Sequence, residues 1–191
     1  MPELVFHHAT VSGRKTAELL IRLHQFGDEA VLLTHARYQR DGKGAVSSRV
    51  GLGREADHVV GDGAPVPLEE LVTGGERFVF VDEGQFFSAE EVDALWEVSL
   101  HKDVFVYGLK NDFRTHLFDG SRRLFEVSDR QVQIENHCAR CHASRANFNM
   151  KVRNGRATVS EDEPQIEEGH EELYVPVCKS CYVNATRMPR E

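Results

Sequence analysis

Three groups of residues have the types and spacing that chemistry requires. The first is a set of four cysteines arranged as two C-x-x-C pairs, Cys138-Ala139-Arg140-Cys141 and Cys178-Lys179-Ser180-Cys181. Each pair delivers two thiolates from one tight turn, and two pairs close a tetrahedral zinc site with Zn–S of about 2.3 Å. With no position left for water, a zinc ion held this way is structural. Disulfides or redox-active pairs are the competing readings of the same spacing, and His137 and His142 flank the first pair as substitute ligands. The second group is Val79-Phe80-Val81-Asp82-Glu83, an apolar run ending in two carboxylates. At the C-terminal end of a parallel strand, Asp82 can hold Mg2+ directly or through water, as Walker B aspartates do. Glu83, pointing to the other side of the chain, can act as a base on a substrate hydroxyl.

The third group is Ala9-Thr10-Val11-Ser12-Gly13-Arg14-Lys15-Thr16, which aligns with the phosphate-binding pattern G-x-x-x-x-G-K-[ST]. That loop turns backbone N–H groups inward onto phosphate oxygens and leaves little room for side chains. Lys15 and Thr16 occupy its last two positions. Ala9 is a mild departure from the first glycine, whereas Arg14 replaces the second and brings a Cβ and a long chain toward the phosphate path. Two arrangements accommodate it: a slipped loop in which Gly13 and Arg14 take the Gly-Lys roles, or an outward Arg14 that leaves Lys15 and Thr16 in place.

The elements that must position these groups follow a strand–helix alternation. Leu4-Val5-Phe6 reads as a strand, and Leu19, Leu20, Leu23 and Phe26 mark one face of a helix ended by Gly27-Asp28. Ala30 to Leu33 is a second strand, which completes a βαβ unit of a parallel sheet. Residues 35–55 are a basic stretch with Arg37, Arg40, Lys43, Arg49 and Arg54, either a solvated loop or a lid bringing cations to a polyphosphate. A short helix is expected over Pro65–Val72, strands over Phe78–Val81, Val104–Gly108 and Gln131–Ile134, and a helix within Phe118–Val127. Ser88 and Glu91 form a capping box that opens a helix to Leu100, with Val92, Leu95 and Trp96 as its apolar stripe. The chain reads as an α/β domain over residues 1–136 with a small zinc module over 137–191, where the metal ties residues 142–177 into a closed loop.

The 191 residues carry a formal net charge of -8, which argues against a direct nucleic-acid binder despite the paired cysteines. No apolar run is long enough to span a bilayer, and the N-terminus lacks the pattern of a secretory signal. A cytoplasmic protein with no membrane contact is expected.

Several segments together resemble the zinc-containing thymidine kinases, in their bacterial and phage branch. Phe80-Val81-Asp82-Glu83-Gly84-Gln85-Phe86-Phe87 is similar to the D-E-x-Q-F signature, and Val46-Ser47-Ser48-Arg49-Val50-Gly51-Leu52 to the segment after the lid. Tyr107-Gly108-Leu109-Lys110-Asn111-Asp112-Phe113 resembles Y-G-L-x-T-D-F, and Leu117-Phe118-Asp119-Gly120-Ser121 resembles L-F-x-G-S. Tyr174 stands where a tyrosine precedes the last zinc cysteines. The resemblance implies a RecA-like P-loop domain with a zinc-tethered lasso, assembled as a homotetramer. It further implies transfer of the γ-phosphoryl of ATP to the 5′-hydroxyl of thymidine, a deoxynucleoside salvage reaction. Glu83 would be the general base. Ala9, Ser12, Gly13, Arg14, Lys15, Thr16, Arg40, Asp82 and Gln85 would serve MgATP, while Phe86, Asp112, Phe113, Phe148 and Tyr174 would enclose the nucleoside. Departures fall at Arg14, at Tyr38-Gln39-Arg40 where members carry D-x-R, at Phe148, and at Glu167 in place of the first glycine of I-G-G. They leave a second reading, a non-catalytic homologue that binds nucleotide or serves an assembly.

Overall fold

In the computed structural model, residues 1–37, 42, 44–167 and 173–186 are described. Six strands make one parallel sheet: β1 (Leu4–Ala9), β2 (Ala30–His35), β5 (His58–Val60), β6 (Phe78–Val81), β7 (Asp103–Leu109) and β8 (Arg130–Gln133). Their spatial order is β5-β2-β6-β7-β1-β8. β3 (Ala45–Ser47) and β4 (Gly53–Glu55) form a separate hairpin between β2 and β5 in the chain. Every residue of β1 and β2 is buried, as expected of strands covered by helices on both faces. On one face, Leu19, Leu20 and Leu23 of α1 (Lys15–Phe26) pack on Val5, Leu32 and Phe80. On the other, α2 (Leu68–Thr73), α3 (Ala89–Val98) and α4 (Asp119–Val127) supply Leu71, Val92, Leu95 and Leu124 against Leu4, Phe6, Val31 and Val79. The α/β architecture read from the sequence is therefore present.

The expected capping box opens α3: Glu91 N donates to Ser88 Oγ at 3.2 Å and Ser88 N to Glu91 Oε2 at 2.8 Å. The stripe differs from the sequence reading. Val92, Leu95 and Val98 are fully buried, whereas Trp96 is 46% exposed. Successive three-residue steps keep Val92, Leu95 and Val98 toward the sheet, and Trp96 falls on the flank.

A second, antiparallel sheet follows, in order β10-β9-β11, from β9 (Phe148–Arg153), β10 (Arg156–Thr158) and β11 (Tyr174–Val177). β9 and β10 turn at Asn154-Gly155, both at positive φ (49° and 76°), the two-residue chemistry of a primed hairpin turn. α5 (Lys179–Thr186) then begins beside the second cysteine pair. The three strands lie in the stretch 142–177 read above only as a zinc-tied loop.

Beneath α1 a buried polar cluster sets the helix on the sheet. His7 stacks on Tyr107 with ring centroids 4.5 Å apart, and Arg22 Nη1 reaches both His7 Nε2 and Tyr107 Oη at 3.0 Å. Arginine can only donate, so Nε2 accepts and the ring proton sits on Nδ1, 3.5 Å from the Glu18 carboxylate. Burial, then the Arg22 charge, lowers the His7 pKa to about 4, which keeps the ring neutral.

Candidate active site

The loop 9–16, aligned above with the phosphate-binding pattern, joins β1 to α1 at the C-terminal edge of the sheet, where α/β folds build their sites. Gly13 is required by close approach: a Cβ there would lie 2.6 Å from Ala9 Cβ and 2.9 Å from Thr10 O. Arg14 is in the left-handed region at φ 62°, ψ 17°, and its exposed side chain leaves the loop. Its guanidinium donates to Glu135 O at 3.4 Å. Lys15 is buried, with Nζ donating to Thr10 O at 3.2 Å. The loop is thus unslipped, with Lys15 turned into it and Arg14 out of it. Ser12, also at positive φ (56°), is exposed at the tip.

Two asparagines from farther along the chain hold this loop, and neither was singled out in the sequence. Asn136 Nδ2 donates to Thr10 Oγ1 and Val11 O, both at 3.1 Å. Asn149 of β9 is buried, accepts Val11 N–H at 2.8 Å and donates to Asn111 O at 2.7 Å. Nothing in their spacing signals this; the second sheet must first be folded against the first.

Asp82 directly follows β6, wholly buried, and its carboxylate accepts the Thr16 hydroxyl at 3.1 Å. Burial, then the charge of Glu83, pushes its pKa up to about 7, against the opposing Thr16 hydrogen bond and Lys15 charge. Lys15 is lowered by burial first, with Glu83 and Asp82 acting to hold its proton and Arg49 acting to expel it. Arg49, in the turn of the β3–β4 hairpin, is the cation of the 35–55 stretch whose charge reaches Lys15. Arg40, Tyr38 and Gln39, the lid positions compared with D-x-R, lie outside the described residues.

Glu83 is half-buried and sits at φ 56°, a left-handed conformation that strains a residue with a Cβ and recurs at functional sites. Gln85 fixes its carboxylate: Gln85 Nε2 donates to Glu83 Oε2, while Gln85 Oε1 accepts Leu109 N–H at 2.8 Å. Gly120 explains the L-F-x-G-S match, since a Cβ there would lie 2.5 Å from both Gly84 O and Phe87 O. α4 thus abuts the turn that carries Glu83 and Gln85.

The aromatic residues assigned to the nucleoside side divide into three places. Phe113 and Tyr174, 6.2 Å apart, share a buried cluster with Val11, Leu109 and Phe118. Phe86 is half-buried and meets Phe118 edge-on at 6.4 Å, with the Arg37 guanidinium 5.4 Å from its ring centroid. Phe148 faces the other way, 5.4 Å from Tyr182 in the cluster with Cys138 and Cys178. Side chains alternate across β9, so Phe148, Met150 and Val152 take the cysteine side while Asn149 and Lys151 turn toward Val11 and Phe113. Asp112, buried, accepts Arg114 N–H and His116 N–H at 2.9 Å and pairs with the Arg114 guanidinium at 3.1 Å.

The four sulfurs of Cys138, Cys141, Cys178 and Cys181 lie within 4.8 Å of one another. Cys141 Sγ and Cys178 Sγ are 3.9 Å apart, near the ~3.8 Å edge of a ZnS4 tetrahedron. Burial opposes ionisation of Cys138, yet the amides of Cys141, Cys178 and Arg140 outweigh it and draw the thiol down to about 6. The hydrogen bond with Cys178 leads the causes that push Cys181 up to about 12. A divalent cation removes that conflict, so the donor set fits zinc. Chelation should then lower Tm by roughly 10 °C, equivalent to about 3–5 kcal/mol for a chain of this length. Because Asn149 of β9 holds loop 9–16, amide exchange in that loop should quicken with it. An unchanged melting curve after metal is shown by mass spectrometry to be gone would contradict this.

The fold and site together define a P-loop-like α/β protein carrying a four-cysteine metal module. A family model described as thymidine kinase matches residues 3–182. Curated relatives named thymidine kinase, from Streptococcus pyogenes serotype M3 and Streptococcus agalactiae serotype Ia, are each 34% identical over 189 residues, 96% of this chain and 98% of the relative. The chain belongs to the thymidine kinase family. A solved structure, Pif1 helicase from Candida albicans, superposes over 70% of this chain and 36% of its own at 13% identity with a TM-score of 0.39, too loose to bear on fold or function. Among the described residues, no helix is long and apolar enough to cross a membrane.

Proposed function

We propose that this protein transfers the γ-phosphoryl group of ATP to the 5′-hydroxyl of thymidine. The observation that carries the reading is the convergence of Lys15, Thr16, Asp82 and Glu83 at one edge of the sheet, with the Thr16 hydroxyl 3.1 Å from the Asp82 carboxylate. The donor's phosphates sit in the loop 9–16, with Lys15 exchanging its bond to Thr10 O for phosphate oxygens. Thr16 and Asp82 would hold Mg2+, which supplies charge neutralisation when bound with ATP. Glu83, oriented by Gln85, takes the proton of the attacking 5′-hydroxyl. Phe86, Phe113 and Tyr174 line the nucleoside side, and Asp112 acts through Arg114 rather than on the nucleoside. Residues 137–186 supply Asn149, one of the loop's two asparagine anchors, and the four cysteines, while the α/β part supplies Asn136 and the chemistry.

One observation favours the second reading, a non-catalytic nucleotide-binding or assembly homologue: Arg14 in place of a loop glycine. Its outward course leaves the loop interior free, which favours catalysis. A non-glycine residue in the left-handed region costs roughly 1–2 kcal/mol, so Arg14→Gly should stabilise the fold slightly and change the rate of transfer from γ-labelled ATP to thymidine by less than about threefold. A large gain would identify Arg14 as a lesion. No product from the parent chain at high enzyme concentration, together with no saturable MgATP binding by calorimetry, would sink the kinase reading.

A further inference from the structure

A lysine is almost never fully buried unless its charge is paired. Lys151 is fully buried in β9, opposite Tyr174 of β11 and Thr158 of β10. Its Nζ lies 5.0 Å from the ring centroid of Phe113 and 5.8 Å from that of Tyr174. It donates to the carboxylates of Glu163 and Glu167, the latter at 2.5 Å, and Arg153 reaches Glu167 as well.

Both glutamates belong to residues 159–167, which have neither helix nor strand. The segment carries Glu161, Asp162, Glu163 and Glu167, a set of like charges that repels itself off a surface unless cations hold it. Arg114 grips its backbone, donating to Glu161 O at 3.2 Å and Glu163 O at 3.1 Å. Glu167 N donates to Tyr174 Oη at 2.8 Å, and Ile166 packs on the Phe113–Tyr174 cluster. The segment thus lies along the aromatic residues of the nucleoside side; Lys151 is its fully buried cation, and the nearly buried Arg114 also meets the Glu161 carboxylate at 3.5 Å.

We propose that Lys151 is a positioning residue whose ammonium clasps Glu163 and Glu167, fastening segment 159–167 beside Phe113 and Tyr174 and thereby setting nucleoside affinity rather than the rate of phosphoryl transfer. The proposal rests on the kinase reading for the identity of the nucleoside; the clasp itself does not. Burial alone would lower the Lys151 pKa, but the hydrogen bonds to Glu163 and Glu167 outweigh it and raise it. The hydrogen bond from Lys151 in turn leads the causes that hold Glu167 below the ordinary carboxylate range. Both partners therefore stay ionised at neutral pH. Removing the ammonium takes from Glu163 and Glu167 their buried cation and leaves Glu167 with the exposed Arg153, so the segment is held by its backbone bonds to Arg114 and Tyr174 and loosens.

The test compares Lys151→Met, Lys151→Arg and the double variant Glu163→Gln/Glu167→Gln by hydrogen exchange of segment 159–167 and by steady-state kinetics. Lys151→Met should speed exchange in the segment at least about tenfold while that of β1 and β7 holds. The same variant should raise the thymidine KM about tenfold, with kcat and the ATP KM within about threefold, and Lys151→Arg should restore both readouts. The double glutamine variant, which removes no buried side chain, should reproduce the methionine phenotype and carries the test if Lys151→Met does not fold. Unchanged exchange in the segment, or kcat and both KM values moving together, would overturn the clasp. A parent that phosphorylates no thymidine overturns the kinase reading instead, and exchange still decides the clasp.

Discussion

Glu83→Gln should lower phosphoryl transfer to thymidine by about 10^3-fold, within the range that a positioned general base contributes, and leave both KM values nearly unchanged. Glutamine keeps the shape of the side chain and removes its ability to take a proton. Glu83 is held for that task from two sides. Its backbone lies at φ 56°, which turns the side chain sharply away from the line of β6. Gln85 then ties its carboxylate to the Leu109 N–H of the neighbouring strand β7. An amide at residue 83 can still meet Gln85, so folding and nucleotide binding should survive. Radiolabel transfer from γ-labelled ATP checks the rate, and calorimetric MgATP binding checks the site. Residual activity within about tenfold of the parent would remove Glu83 from the role of base.

The carboxylate pair was legible because Phe78–Val81 is a short continuous apolar run with a polar stop, the form of a strand buried on both faces. The same rule made β1, β2 and β7 readable. Arg14 was legible as a misfit and not as a geometry, since the left-handed backbone that carries its side chain outward leaves no mark in residue type. β9 was hidden for a different reason. Asn154-Gly155 has the chemistry of a hairpin turn, yet no strand was read beside it, because the polar Asn149 and Lys151 of Phe148–Arg153 are buried, Asn149 against Val11 and Lys151 against Glu163. Buried polar residues invert the pattern from which a strand's inner face is inferred. Period-two alternation then sends Phe148 to the cysteine side, and a comparison of residue types alone carries no such register. Trp96 shows the smaller form of the same problem: on a helix, one step around the axis separates a core position from a flank.

Asp82→Asn should abolish transfer and yet make the unliganded protein more stable, with the gain confined to neutral and alkaline pH. Asp82 is fully buried beside Glu83, with Lys15 as the nearby cation. Of the charges that act on the buried Asp82, Glu83 repels and Lys15 attracts, and burial and repulsion together push the Asp82 pKa up to about 7. An unfolded aspartate titrates near 3.9, so between these values the folded chain binds more protons than the unfolded one. Stability must therefore decline as pH rises through this interval, reaching its full deficit above the folded pKa. Asparagine keeps an acceptor for the Thr16 hydroxyl and never ionises. The variant should exceed the parent by about 2–4 kcal/mol at a pH of about 8, and the gap should close as pH falls toward about 4. Melting curves of the two proteins across that range decide it, and a variant less stable than the parent at a pH of about 8 would contradict this account. The same protonation should weaken MgATP binding by the parent as pH drops below about 7, because a neutral Asp82 no longer offers a charged ligand for the metal. Repulsion between residues 82 and 83 would thus be relieved by the cations that accompany MgATP.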